Sequence, residues 1–404
     1  MYFFRDLSLS TATAGFVAVL VGFTSSVAIV FQAAQAFAAT PAQTGSWLWA
    51  LGLGMGLCTL LPSLYLRKPV MVAWSTPGAA VLATAGLAGG FSMAEAVGAF
   101  MVCAALITLF GVTGWFERVM QRLPLAIASG LLAGVLARFG MQAFVAAQTD
   151  LPLVLLMLAA YLLGRRITPR FVVPLTLVLA IGFVAVTQGF RGPTLEFALT
   201  VPVFVAPVFT LAAAVSLALP LFVVTMASQN LPGVAAIQAA GFGNPPGAAA
   251  EAGIPISKII TLTGVATLVL APFGGFALNL SAITAAICMG PESHPERQRR
   301  YTAAVVCGAI YVLIGLFGAA IVAALTAFPQ ELIAAIAGLA LLGTIANALH
   351  VALRDEAHRE AALITFLVTL SGVVIGGVGA AFWGVLAGAA ALFVQQYGLT
   401  RPKP

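Results

Sequence analysis

The chain has 404 residues, of which 61% are hydrophobic and 7% charged, with a formal net charge of +6. A water-soluble domain carries about 25% charged residues, so lipid must be the solvent and a soluble enzyme or receptor is excluded. The basic excess does not point to nucleic acid, because Lys and Arg sit in short loops between apolar runs rather than in patches interleaved with aromatics.

A membrane span needs roughly 20 apolar residues. In chain order the apolar segments are 12–39, 46–66, 70–88, 92–113, 124–146, 151–164, 171–189, 203–228, 255–271, 273–290, 301–326, 329–350, 360–378 and 380–397, fourteen in all. The N-terminus does not read as a cleavable signal, since Arg5 and Asp6 precede a long run with polar residues in its middle. Cys58, Cys103, Cys288 and Cys307 each lie within an apolar run and lack CxxC spacing. They read as small buried residues, not as a metal or disulfide set.

Alternating the segments from a cytoplasmic N-terminus puts sixteen of the eighteen Lys and Arg residues on the cytoplasmic side. Arg191 alone falls outside and Arg138 lies within a span. This asymmetry predicts an all-α, multi-pass protein with an even number of spans and both termini cytoplasmic. An internal match recurs at an offset of about 204 residues. Thr24-Ser25-Ser26 corresponds to Ser228-Gln229-Asn230 at the end of segment 8, and Ser75-Thr76-Pro77 to Asn279-Leu280-Ser281. Pro124 matches Pro329 within one residue, and Gly134 matches Gly338. Seven spans per half is an odd number, so the halves, 1–195 and 196–404, must insert with opposite topology, a common plan for secondary transporters.

Segments 3 and 10 carry the clearest functional signal. Val70 to Ser75 is rich in β-branched residues and ends at Ser-Thr-Pro-Gly78. Ser75 or Thr76 is a natural N-cap, with Pro77 at the first helical position. The segment is expected to start extended and turn helical halfway across. Segment 10 repeats this, with Phe273 to Ser281 extended and an Ala-rich helix from Ala282. Extended backbone at membrane depth is tolerated only inside protein or along a cavity. The two stretches are expected to pair, so that two helix N-termini converge on one space suited to an anion; two merely kinked helices are the alternative.

Ser228-Gln229-Asn230 is the densest polar cluster in an apolar region, suited either to a substrate or to bonding between helices. Segment 1 adds Thr24, Ser25, Ser26, Gln32 and Gln35. Arg138 lies 14 residues beyond Pro124, about 21 Å along a helix. It either snorkels outward to pair with Asp150 or draws anions toward the cavity. Glu95 follows Ser92 by three residues and reads as a capping box. No P-loop, GxSxG, HExxH or paired carboxylates appear, so no enzyme, cofactor or metal is expected.

Residues 223–234, Val-Val-Thr-Met-Ala-Ser-Gln-Asn-Leu-Pro-Gly-Val, with Ala239-Ala240-Gly241-Phe242 and Asn244-Pro245-Pro246, resemble the signature of the bacterial benzoate:proton symporter (BenE-type) family. That family is distantly similar to nucleobase–ascorbate and sulfate/bicarbonate carriers. The resemblance implies a seven-plus-seven inverted repeat, a core domain from 12–113 plus 203–326, and a gate domain from 124–189 plus 329–397. It also implies a short strand and a half-helix in segments 3 and 10. Nucleobase carriers of this type bear a carboxylate near the position of Gln229 and another in segment 10, and this chain has neither. In a low-dielectric site a carboxylate would repel an anion, so its absence favours a substrate bearing its own negative charge.

The resemblance therefore implies import of benzoate or a similar aromatic carboxylate with protons across the bacterial inner membrane by alternating access. The carboxylate is expected between Ser75, Thr76, Pro77 and Gly78 on one half-helix and Asn279, Ser281 and Thr284 on the other. Gln229 and Asn230 would hydrogen-bond it, with Ser25 and Gln32 nearby and Phe31, Trp74 and Phe276 around the ring. Arg138 and Glu95 are candidates for a charge role. The partners expected are the lipid bilayer, the substrate and protons, with no nucleic acid; a homodimer is left open. A carrier for another small anion or a nucleobase, and an anion channel, stay as alternatives.

Overall fold

The computed structural model describes residues 2–24, 26–116, 125–167, 172–189, 199–243, 253–291, 293–326, 328–373, 375 and 380–396. Among these, eight helices are long and apolar enough to cross a membrane, and shorter apolar helices lie between them. The first half contains α1 (Tyr2–Asp6), α2 (Leu9–Thr24), α3 (Val27–Ala36), α4 (Pro41–Leu66), β1 (Val72–Trp74), α5 (Thr76–Gly89), α6 (Met93–Thr113), α7 (Leu125–Val145), α8 (Leu151–Ile167) and α9 (Val172–Val184). The second contains α10 (Leu211–Gln238), then α11 (Ile256–Leu270), β2 (Leu278–Leu280), α12 (Ile283–Met289), α13 (Tyr301–Leu316), α14 (Gly318–Thr326), α15 (Gln330–Arg354), α16 (Arg359–Ser371) and α17 (Ala380–Gln396).

The expected pairing of the two extended stretches is present. β1 and β2 are antiparallel, with Val72 opposite Leu280, Ala73 opposite Asn279 and Trp74 opposite Leu278. Ser75 N donates to Ala277 O at 2.9 Å and Ser281 N to Met71 O at 3.0 Å, extending the ladder at both ends. A two-stranded sheet leaves two unpaired edges, which are costly away from water. Here helix side chains satisfy them. Met55, Thr59 and Ser63 of α4, one turn apart, accept from the N–H groups of Trp74, Val72 and Val70. On the other edge Leu278 N donates to Thr267 Oγ1 (3.1 Å) and Leu280 N to Asn230 Oδ1 (2.9 Å).

Several boundaries differ from expectation. Segment 8 does not start as a helix at 203. Residues 199–210 form no helix or strand, and α10 begins at Leu211. Pro202 and Pro207 lack N–H donors and alternate with valines, so the stretch favours extended backbone over helix. Its N–H groups are met elsewhere: Val203 by Ser46 Oγ, Val205 by Pro272 O and Val208 by Ala94 O. α10 also continues past 228, so Ser228-Gln229-Asn230 is not at a helix end but within a π-turn, Met226–Asn230. Leu231 N reaches back to Met226 O, while Pro232, with no N–H, cannot donate to the preceding turn. Segment 1 breaks at Ser26 into α2 and α3. Thr76, not Pro77, takes the first helical position of α5, with Ser75 as N-cap. α12 starts at Ile283 rather than Ala282 and spans only 7 residues, stopped at Gly290, whose neighbour Pro291 disfavours helical backbone there.

Helices α4 and α13 cross at very close range. A Cβ built on Gly52 would stand 2.5 Å from Gly315 Cα and 2.8 Å from Tyr311 O, and one on Gly56 would stand 2.7 Å from Gly308 O. Small residues let the two backbones touch, and contact takes the place of the hydrophobic effect that lipid does not supply.

At the end of the bundle that carries the N-terminus, Asp6 ties three elements together. Arg67 Nη2 and the Tyr301 hydroxyl each donate to Asp6 Oδ2 at 3.0 Å. Burial of the Asp6 carboxyl pushes its pKa up, but Tyr301, Arg67 and Arg5 outweigh this and hold it below the ordinary value of 3.8. A depressed carboxylate contributes stability above its unfolded pKa and loses it as pH falls through the folded one. The melting temperature in detergent should therefore drop on acidification below about pH 4, and Asp6→Asn should flatten that limb. An acid limb identical in the variant would remove Asp6 from the acid response.

Candidate functional site

The first half-helix start is built by its cap. Ser75 Oγ accepts from Gly78 N at 3.0 Å and from the Thr225 hydroxyl of α10 at 2.9 Å, so this cap is fixed to the helix carrying Gln229. A Cβ on Gly78 would lie 2.5 Å from Leu221 Cδ1, so α5 meets α10 directly at its first turn. At the second start, the Thr284 hydroxyl donates to Ser281 Oγ at 2.7 Å. Asn279 is fully buried; its Nδ2 donates to Leu280 O, and its Oδ1 has no partner among the described residues.

The remaining expected site residues divide into groups. Gln229 is half-buried on the π-turn, and its amide makes no hydrogen bond among the described residues. Asn230, by contrast, is fully buried, its Oδ1 accepting from Leu280 N on the β2 edge and its Nδ2 reaching Met226 Sδ. Trp74 Nε1 donates to Ser26 Oγ at 2.9 Å and its ring packs on Phe23. Phe276 is also internal, stacked with Trp47 and Phe100 at centroid distances of 5.8 and 6.1 Å. Phe31 is buried in the same core. Ser25 lies outside the described residues. Glu95 forms the expected capping box with Ser92 and accepts from the Thr210 hydroxyl at 3.3 Å.

A cavity of about 530 Å³ lies at the seam between α3 and α5 on one side and α7 and α15 on the other, lined by Gln32, Gln35, Thr84, Arg138, Gln142 and apolar residues including Ala83, Leu87 and Ala334. It does not include Ser75–Gly78. Thr84 stands about 9 Å farther along the helix than Gly78. Arg138 therefore faces a cavity, and Asp150 is used to cap α8 through Leu153 N. Sequence reading missed Thr84, Gln142 and Thr225. Gln142 was detectable as the residue four positions after Arg138, on the same helix face; Thr225 was detectable as a hydroxyl within the 223–234 string, one turn before Gln229.

Comparison with known proteins decides the family. The family described as benzoate membrane transport protein (BenE) matches residues 5–394. The chain belongs to this family. It is a multi-pass membrane transport protein and not an enzyme. It is 46% identical over 378 residues to the inner membrane protein YdcO of Escherichia coli (strain K12), covering 94% of each chain. It is 38% identical over 400 residues to the benzoate membrane transport protein of Acinetobacter baylyi, covering 99% of this chain and 97% of that one. Its fold resembles the transmembrane domain of the cyanobacterial bicarbonate transporter BicA, with a TM-score of 0.58 at 16% identity over 97% of each chain. It also resembles SLC26A9, with a TM-score of 0.56 at 12% identity over 94% of this chain and 65% of that one. At these identities the likeness concerns the fold alone.

Proposed function

We propose that the chain imports benzoate or a close aromatic carboxylate together with protons across a bacterial inner membrane, by alternating access. The observation that carries this reading is the pair of half-helix starts joined through β1 and β2, beside a Gln229 amide with no other hydrogen bond among the described residues. The backbone N–H groups there suit an anion, and the sequence has no Asp or Glu in residues 70–89, 211–239 or 273–290 to repel one. Membership of a family described as benzoate membrane transport protein supports the same substrate.

Fourteen segments in a seven-plus-seven inverted repeat account for the motion. Residues 12–113 with 203–326 would form the core and 124–189 with 329–397 the gate. Extensive packing of α7 against α15 and α16, and of α4 against α13, supports that division. The cavity lies where core meets gate, at the end of the bundle opposite the N-terminus. With both termini cytoplasmic, it opens outward.

The test is uptake of labelled benzoate into liposomes holding the purified protein under an inward proton gradient. Saturable uptake that collapses with the gradient is expected. Uracil transported equally well, or no uptake of benzoate, would sink the substrate. Losing one hydrogen bond to a charged ligand costs about 1.5–3 kcal/mol, so Gln229→Ala should raise the KM for benzoate by about tenfold or more. An unchanged KM would take Gln229 out of the site.

A further inference from the structure

The seam cavity contains a charge that the half-helix reading leaves unused. Arg138 is partly buried and carries five N–H donors in a fixed fork. Among the described residues it makes no ion pair and no hydrogen bond. Desolvating a guanidinium without a partner costs several kcal/mol, so this arrangement is stable only with an anion or with water drawn in.

The guanidinium also packs against main chain. Gly372 ends α16 with φ +70, a backbone conformation that L side chains rarely adopt, and a Cβ built there would lie 2.5 Å from Arg138 Nη1. The guanidinium thus lies directly against the backbone of Gly372. Across the cavity stands Gln32 on α3, with Gln142 one turn from Arg138 on its own helix and Ala83 and Leu87 as apolar wall.

We propose that Arg138 anchors the carboxylate of an aromatic monocarboxylate in this cavity, at a site separate from the half-helix starts. One cation among neutral amides matches a single negative charge. A dianion would keep half its charge uncompensated. The apolar wall accommodates the ring, and the volume lies within the roughly 300–1,000 Å³ of small-molecule sites. Because Arg138 belongs to one side of the seam and Gln32 to the other, a carboxylate held by both draws the two sides together. The inference relies on the proposed function only for the identity of the anion.

Equilibrium binding of labelled benzoate to the purified full chain in an uncharged detergent tests it, with benzamide, bicarbonate and uracil as competitors. The wild type should bind benzoate at two sites per chain; Arg138→Gln should weaken one of them at least tenfold and leave the other, while melting as the wild type does, and Arg138→Lys should recover part of the loss. Benzamide, which has the ring without the charge, should compete poorly. Gln142→Glu, which sets a carboxylate one turn from Arg138, should abolish the same one of the two benzoate sites and serves if Arg138→Gln fails to fold. Two benzoate sites retained within twofold by Arg138→Gln, or undiminished by Gln142→Glu, or a wild type that binds benzoate at one site only and keeps it in Arg138→Gln, overturn the anchor but not the transport reading. If the wild type binds bicarbonate and not benzoate, and Arg138→Gln abolishes that binding, the anion anchor stands and benzoate falls. Binding of none of these anions overturns both.

Discussion

Gly52→Ile should yield no stable, monodisperse protein. The new side chain would have to enter a gap where even a Cβ stands 2.5 Å from Gly315 Cα and 2.6 Å from Gly315 N. Both contacts are backbone, so no side chain can rotate away. Overpacking a well-filled core costs about 1–3 kcal/mol. Here the helices themselves must separate, and the cost should exceed that range. Separating α4 from α13 would also shift Met55, Thr59 and Ser63, which hold one edge of β1. A size-exclusion profile and melting temperature equal to those of the wild type would refute the close crossing. Gly52→Ala should fall between the two.

The second large effect separates two neighbours that look alike in sequence. Asn230→Ala should lower stability and abolish uptake together, because the buried Leu280 N–H would lose its acceptor. An orphaned buried donor costs about 1–3 kcal/mol, and here the loss falls on the strand that sets the start of α12. Gln229→Ala should instead leave the melting temperature nearly unchanged, since its half-buried amide has no hydrogen bond among the described residues to lose, while impairing affinity. Thermal melts and uptake measured on the same two preparations distinguish them. If Asn230→Ala melts as the wild type does, the amide is not bracing β2.

Much of the plan was legible because it rests on local chemistry. Ser75-Thr76-Pro77-Gly78 is a helix start whatever surrounds it, and extended backbone in lipid must find a partner, so the strand pair followed from two such stretches. The strap at 199–210 was misjudged because its Val, Phe and Ala keep the stretch apolar, and hydropathy does not register that Pro202 and Pro207 break a helix. Asn230 and Phe276 were assigned to the substrate because polarity and aromaticity do not reveal a partner. Asn230 is 50 residues from Leu280, and Phe276 meets Trp47 and Phe100 from two other helices. For Arg138, rise per residue gave a height along the helix but not a direction around it. Only the packing of α7 against α15 and α16 turned it into the cavity.

The three-residue strand pair has a consequence for biosynthesis. Residue 72 leaves the ribosome 208 residues before its partner at 280, about 10–40 s earlier at 5–20 residues per second. Throughout that interval the β1 backbone that later faces Ala277 to Ser281 has no mate in its own half, at a depth where lipid offers no hydrogen bonds. The newly made first half must therefore remain beside the translocon or keep water at its centre until the second half arrives. Neither half can be completed as a separate module, and a ribosome stalled midway would leave a polar seam that quality-control proteases could recognise.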